Sequence, residues 1–426
     1  MALRVLVVGG GGREHAIAWK LAQSPRTAAL LCAPGNAGTA EVGENVPVRV
    51  TDVESIVAIA GERKIDLAVI GPEEPLAAGI ADRLVEVGIP VCGHSATAAQ
   101  IESSKAFAKE VMLAAGVPTA RSVVVHDLVG GLAALADFEL PVVIKADGLA
   151  AGKGVVVAPN RLEAQHVLTA FLEDRALGQA GQRVVIEECL DGQEVSAFAL
   201  TDGDTVQTLP AACDYKRVSD NDRGPNTGGM GAYCPPPVVT NDLADQIQRT
   251  ILEPTVREMR NRGKSLRGVL YAGLMLTANG PKVLEFNARL GDPETQVVLP
   301  LLDADLTELF DGIAHRRLAD VEPPRALPGA AVGVALASGG YPGPYRTGMP
   351  IAGLEAIPDD VLAFHAGTAR DDAGHVVTAG GRVLALVGLG NDLAAARDRA
   401  YAAVERVSFD GMHARRDIAS RELART

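Results

Sequence analysis

The N-terminal part of the chain alternates short apolar runs with helical stretches, and the runs end in glycine- or proline-containing loops. Runs at 3–8, 28–33, 65–70 and 89–92 read as strands, and 13–23, 54–60 and 76–87 read as helices. Strands that alternate with helices in this way predict a doubly wound parallel sheet. Ligands bind such sheets in the crevice outside the carboxyl ends of the strands. The loops there are 9–12 (G-G-G-G), 34–39 (P-G-N-A-G-T) and 71–75 (G-P-E-E-P).

The pattern then changes. A helix is expected at 103–115, with serines as start signals and Gly116-Val117-Pro118 as its stop. Strands at 122–125, 142–146, 155–158 and 184–188, mixed with helices at 128–136 and 162–172, predict a small α+β unit. From 193 to about 318 the pattern is mixed, with a polar loop at 214–231 and a long helix near 243–262. Pro323, Pro324 and Pro328 mark a boundary, beyond which lie strands at 331–336, 363–367 and 383–389 and a helix at 393–407. The expected fold class is α/β multidomain. Its parts are the N-terminal sheet (1–103), an α+β core (104–325) with a small subdomain at about 120–190, and a β-rich C-terminal domain (326–426).

With 426 residues, 47% hydrophobic and only 4% aromatic, the chain has enough Val, Leu, Ala and Ile for several cores. A formal net charge of -13 argues against a broad nucleic-acid surface. Cys32, Cys92, Cys189, Cys213 and Cys234 are scattered without a C-x-x-C pair, which speaks for reduced thiols in a cytoplasm. Arg13, Glu14 and His15 end the first apolar run too early for a signal peptide. No later run reaches the ~18 apolar residues of a transmembrane helix, so no membrane partner is expected.

Candidate chemistry concentrates in a few segments. At 283–296, V-L-E-F-N-A-R-L-G-D-P-E-T-Q begins as an alternating strand. Glu285, Asn287 and Arg289 then share one face, and Phe286, Ala288 and Leu290 the other. A carboxylate and an amide oxygen side by side suit Mg²⁺, which is usually held by one or two protein oxygens plus substrate phosphates. Arg289 offers a two-pronged anion contact. The plainer alternative is a half-exposed edge strand with polar residues facing water.

At 9–15, G-G-G-G-R-E-H follows a strand and opens a helix, so backbone N–H groups can approach an anion. A dinucleotide site wants an acid at the end of the second strand, where this chain has Cys32-Ala33-Pro34-Gly35-Asn36. That leaves a single phosphate, as on a sugar phosphate, or a simple tight turn. At 142–155, V-V-I-K-A-D-G-L-A-A-G-K-G-V places Lys145 at a strand end and Lys153 among Gly148, Gly152 and Gly154. Gly154 stands where a P-loop needs Ser or Thr, and a strand follows. Two lysines around a glycine hairpin can still clamp a triphosphate; the alternative is an ordinary exposed hairpin. At 184–196, V-V-I-E-E-C-L-D-G-Q-E-V-S offers an apolar slot with Glu187 and Glu194 as acceptors for adenine and ribose, or two surface carboxylates. At 214–231, D-Y-K-R-V-S-D-N-D-R-G-P-N-T-G-G-M-G carries Asp214, Lys216, Arg217, Asn226 and Thr227 in an ordered substrate loop or a disordered one.

Taken in this order, these residues resemble the ATP-grasp superfamily and, within it, the phosphoribosylamine–glycine ligases of purine biosynthesis. G-G-G-G-R-E-H, G-N-A-G-T, G-P-E-x-P-L, the K-A-D-G-L-A-A-G-K-G-V loop, D-Y-K-R with G-P-N-T-G-G-M-G, and R-L-G-D-P-E-T-Q match that family's pattern over nearly the whole chain, with Leu290 where Phe is common. The resemblance implies an ATP-grasp α+β core with a small lid. It implies an ATP-dependent carboxylate–amine ligase that joins glycine to 5-phosphoribosylamine through a glycyl phosphate, with Mg²⁺ or Mn²⁺ as the metal and ATP as co-substrate. A monomer is expected.

By matching position, the resemblance implies phosphate contacts from Lys105 and Lys145, with Lys153, Gly152 and Gly154 in the glycine loop. Glu187, Leu190 (through its backbone) and Glu194 would hold adenine and ribose, and Glu285 and Asn287 the metal. Gly11, Asn36, Thr39 and Glu73 would receive phosphoribosylamine, with Asp214, Lys216, Arg217 and Arg289 as further substrate contacts. Arg289, Lys145 and Asp214 would carry the catalytic roles. One departure is that the strand around 268–277 lacks the additional metal-binding carboxylate many ATP-grasp relatives have there. The competing readings are another ATP-grasp ligase or a carboxylase, and a non-catalytic nucleotide-binding module.

Overall fold

The computed structural model describes residues 2–149 and 154–424, so Gly152 and Lys153 of the expected glycine loop lie outside the described residues. The N-terminal sheet is parallel and five-stranded, in the order Glu44–Asn45, Thr27–Pro34, Leu3–Gly9, Leu67–Ile70, Val91–Cys92. Leu6 and Val8 pack into the core on one face and Val5 and Val7 into the core on the other. Burial on both faces is why this strand reads as a continuous apolar run. The helix expected at 76–87 is two helices, Glu73–Ala77 and Ile80–Glu86, because Gly79 between them takes a left-handed φ of 88°.

A separate antiparallel sheet forms the lid unit, in the order Ser122–Val125, Val184–Glu188, Val142–Ala146, Val155–Ala158. Helices Leu128–Leu135 and Arg161–Leu172 back it, capped by Asp127 and Asn160, whose side chains accept from Gly130 and Glu163 N–H. Its core of Leu135, Phe138, Ile144, Leu168, Phe171 and Ile186 is its own.

The largest sheet has eight antiparallel strands, in the order Gly280–Asn287, Gly268–Thr277, Gln193–Thr201, Val206–Asp214, Gly231–Cys234, Ala330–Ala337, Arg382–Gly390, Val361–His365. It runs without a break across the proline-rich stretch, since Gly231–Cys234 pairs with Ala330–Ala337 from Gly231↔Val334 to Cys234↔Ala331.

Two segments differ from expectation. The polar stretch 214–231 contains a hairpin, Arg217–Ser219 with Arg223–Asn226, whose turn holds Asn221 and Asp222 at φ 58° and 51°. Asn and Asp tolerate that conformation, and the polar composition hid two very short strands. The helix near 243–262 is Asn241–Ile247 and Glu253–Asn261 joined by a π turn at Gln248–Leu252. Pro254 has no N–H to continue the α ladder, so the turn before it widens. Among the described residues, no helix is long and apolar enough to cross a membrane.

Candidate active site

The edge strand Gly280–Asn287 places Glu285 opposite Gly273 and Asn287 opposite Tyr271. Phe286, Ala288 and Leu290 are buried in the core, as the alternation predicts, and Glu285 is half-buried on the other face. Burial opposes ionisation of Glu285, but Lys216, Lys145, Lys105 and Arg289 outweigh it and hold the carboxyl below its usual range. Three of these four cations also pair with other acids, Lys145 with Glu187, Lys216 with Glu194, and Arg289 with Glu73 and Glu102. Among the described residues no group of three His, Cys, Asp or Glu could hold a metal by itself. Glu285 and Asn287 still fit the way Mg²⁺ is commonly bound, with substrate phosphates completing the shell.

The lysines come from two elements. Lys145, buried at the end of Val142–Ala146, donates to the Leu284 carbonyl at 2.8 Å and lies 3.0 Å from Glu187 Oε2. Lys105 opens the helix Lys105–Ala115, whose cap Ser104 accepts from Phe107 N–H, and its Nζ donates to the Gly148 carbonyl at 3.2 Å. Asp147 joins the lid loop to this helix by accepting from Ser104 Oγ at 2.9 Å and Ala106 N–H at 3.0 Å.

Glu187, expected against adenine and ribose, makes ion pairs here. Its carboxylate is buried between Lys145 at 3.0 Å and Lys109 at 3.2 Å, so two ammonium groups occupy it. Glu194 is exposed and pairs with Lys216 at 2.5 Å. Leu190 lies half-buried in the connection from the lid to the large sheet, and Gly154 closes the lid hairpin by accepting from Ala146 N–H at 2.8 Å.

Around the parallel sheet, Gly11 N–H donates to Glu14 Oε2 at 2.7 Å. Asn36 is spent on the loops themselves. Its Nδ2 donates to the carbonyls of Gly10 at 2.9 Å and His365 at 2.7 Å, and its Oδ1 accepts from Gly38 and Thr39 N–H. Thr39 is buried, accepting from Asn36 N–H at 2.6 Å and facing Asn45 Oδ1 at 2.7 Å. Both side chains hold the loop in shape. A Cβ on Gly10 would stand 2.5 Å from the Gly35 carbonyl oxygen, so glycine there lets the two loops touch. His15 Nδ1 accepts from His365 N–H at 2.8 Å, and burial, with His365 beside it, pushes its pKa down to about 3.

Arg289 is gripped by Glu73 at 3.1 Å and Glu102 at 3.0 Å, and its Nη2 donates to Asn287 Oδ1 at 3.3 Å. Burial opposes its charge, but Glu102 and Glu73 raise its pKa further above the usual value. Asp214 is pushed up to about 7, chiefly by burial, with Lys216 at 4.0 Å opposing and Glu294 and Glu194 adding to the rise. Glu294, buried, accepts from Ser196 Oγ at 3.1 Å. Arg217 turns into the hairpin, donating to the Gly224 carbonyl at 2.8 Å.

Several site residues were not singled out from the sequence. Lys109 follows Lys105 by four positions on one helix face, a readable signal. Glu294 lies inside the R-L-G-D-P-E-T-Q segment, and Glu102 just precedes Ser104. Arg382 has no local signal. It comes from the strand Arg382–Gly390, and its Nη1 donates to the carbonyls of Gly228 at 2.5 Å, Gly229 at 3.3 Å and Asp292 at 3.0 Å. Its Nη2 lies 2.8 Å from Asp292 Oδ2.

A lid sheet carrying Lys145, a capped helix carrying Lys105 and a strand-borne carboxylate–amide pair together define the ATP-grasp class of nucleotide-using enzymes. Three family models match the chain: "Phosphoribosylglycinamide synthetase, N domain" at residues 3–102, "ATP-grasp (A) domain" at 103–295 and "C domain" at 331–421. The chain is 50% identical over 422 residues to a phosphoribosylamine–glycine ligase of Caulobacter vibrioides, covering 99% of each. It is 52% identical to one of Streptomyces coelicolor, covering 98% of this chain and 99% of that one. A crystal structure of the Thermotoga maritima phosphoribosylamine–glycine ligase superposes with a TM-score of 0.86 at 37% identity, over 98% of this chain and 100% of that one. The chain belongs to the phosphoribosylglycinamide synthetase family.

Proposed function

We infer that this protein ligates glycine to 5-phosphoribosylamine at the expense of ATP, giving glycinamide ribonucleotide, ADP and phosphate in purine biosynthesis. The observation that carries the reading is full-length membership of the family, with Lys105, Lys145 and Lys216 converging on Glu285. A glycine carboxylate is a poor electrophile. Its oxygen attacks the γ-phosphorus, the bond to the β-phosphate breaks, and glycyl phosphate forms as ADP leaves. The amine of phosphoribosylamine then attacks the acyl carbon, phosphate departs and the amine loses a proton. Positioning and charge neutralisation carry most of this chemistry, so no nucleophilic Ser or Cys is needed.

In this reading Lys105 and Lys145 neutralise the polyphosphate, and Lys153, Gly152 and Gly154 cover it. The Leu190 backbone meets adenine, Glu194 meets the ribose, and Glu187 holds Lys145. A divalent cation held by Glu285 and Asn287 supplies charge neutralisation at the transferred phosphoryl; Mg²⁺ is the proposed ion and Mn²⁺ the alternative. Arg289, on release from Glu73, takes an anionic substrate group. Asp214, with its pKa near 7, takes the proton that the amine loses. Gly11 and Glu73 receive phosphoribosylamine in the crevice, Asn36 and Thr39 shape its loops, and Lys216 and Arg217 line and brace the facing hairpin.

We also propose the division 1–103, 104–325 with a lid at about 120–190, and 326–426. We also propose that the protein acts as a monomer. A cytoplasmic location is supported by five free cysteines. The deciding assay is ADP release with glycine plus phosphoribosylamine against bicarbonate plus an acceptor. Turnover only with bicarbonate, or ATP binding without turnover on any pair, overturns the reading.

A further inference from the structure

We propose that Lys109 is a positioning residue that neutralises Glu187, leaving the charge of Lys145 available to the nucleotide phosphates; this rests on Lys145 meeting those phosphates as described above. Glu187 sits in the ladder between Val184–Glu188 and Val142–Ala146, opposite Val143. Its two oxygens are divided, Oε2 lying 3.0 Å from Lys145 Nζ and Oε1 3.2 Å from Lys109 Nζ. The three side chains are 2% to 7% exposed, so water screens them little.

The charge count decides what Lys145 can do. A buried Lys145–Glu187 pair alone is neutral and offers a phosphate a dipole. With the Lys109 ammonium on the second oxygen the trio carries one net positive charge. Lys145 is then pulled less strongly toward Glu187, and its field reaches the polyphosphate.

Lys109 is itself fixed from three directions. It rises from the helix Lys105–Ala115, and its Nζ donates to Thr119 Oγ1 at 2.7 Å on the approach to the lid. Thr119 Oγ1 in turn donates to the Val283 carbonyl at 2.8 Å, in the strand that carries Glu285 and Asn287. One ammonium therefore ties the helix, the base of the lid and the metal-bearing strand to Glu187. Burial pushes the Lys109 pKa down to about 8, with Glu187 restoring it and Lys145 opposing. With that pKa the ammonium keeps its proton at pH 7.

The test measures binding of ATP and of adenosine to the full chain by calorimetry, with thermal melting as a check of folding. Lys109→Met should weaken ATP by about tenfold or more while adenosine stays within about twofold, because only the phosphates feel the lost charge. In Lys109→Met/Glu187→Gln the carboxylate is gone and Lys145 is released, so ATP affinity should return to within about threefold of wild type. Lys109→Arg should rescue as well. A double variant as weak as the single one, or an equal loss for adenosine, overturns the proposal. If Lys109→Met does not fold, Lys109→Gln takes its place, and an ATP affinity there within about twofold of wild type overturns the proposal. A Lys145→Met variant with unchanged ATP affinity would instead refute the underlying assignment of Lys145.

Discussion

Arg382→Ala should separate substrate-loop order from nucleotide binding. The guanidinium reaches across from a C-terminal strand and holds the carbonyls of Gly228, Gly229 and Asp292 while pairing with the Asp292 carboxylate at 2.8 Å. Charged hydrogen bonds are worth about 1.5–3 kcal/mol each, but water replaces part of that in a variant. The pair is 18% and 17% exposed, so some screening applies. A net loss of about 2–3 kcal/mol in fixing the two loops is the working figure. It should appear as a fall of about 30- to 150-fold in kcat/KM for glycine and phosphoribosylamine. The KM for ATP should move less than about twofold, because none of these contacts involves the lid. Arg382→Lys should recover only part of the loss, since one ammonium cannot reproduce the fork. Steady-state kinetics with each substrate varied in turn decides the matter. Unchanged kcat/KM for both non-nucleotide substrates, or an equal loss against ATP, would refute the reasoning.

Further outcomes follow from other residues. Glu285→Gln should cut turnover at limiting metal by at least about tenfold, with partial recovery on raising the metal; wild-type rates there would count against the ligand assignment. Gly10→Ala puts a Cβ 2.5 Å from the Gly35 carbonyl oxygen. It should raise the phosphoribosylamine KM by about tenfold with ATP binding intact, and an unaltered KM would mean the loops part freely. His15 has a folded pKa near 3, below its unfolded value of 6.5, so the folded state refuses a proton that the unfolded chain accepts. Its contribution is complete above pH 6.5 and is lost toward pH 3, at up to ~1.4 kcal/mol per pH unit. Urea midpoints for wild type and His15→Asn at neutral and mildly acidic pH should show a flatter acid limb in the variant; parallel limbs would refute the neutral-histidine account.

The elements with strong local periodicity were legible in the sequence. The doubly buried Leu3–Gly9 strand, the lid strands and the split of Glu285 and Asn287 from Phe286 and Ala288 all follow from patterns within a few residues. The break at Gly79 was not, because one glycine in an apolar periodic stretch reads as helix until its φ is known. The hairpin around Asn221 and Asp222 was masked by its polar composition. Among site residues, Glu187 and Lys145 were visible, but their pairing with each other and with Lys109 was not. Lys109 reaches it across the helix–sheet interface, from far away in the chain. Arg382 is the extreme case: it meets Gly228 and Asp292 only after the large sheet has assembled, and nothing beside it in sequence marks the role.

That unbroken eight-stranded sheet has a mechanical consequence. Separating its C-terminal strands from the strand that carries Glu285 and Asn287 would tear either the ladder of Val206–Asp214 with Gly231–Cys234 or that of Gly231–Cys234 with Ala330–Ala337. The four-stranded unit is a separate sheet: 189–192 leads from it to Gln193–Thr201, and 116–121 leads into it from the helix Lys105–Ala115, with Thr119 bridging to Val283 of the large sheet. A chain cut near 326 would lose three of the eight strands, Ala330–Ala337, Val361–His365 and Arg382–Gly390, and expose the edge of Gly231–Cys234.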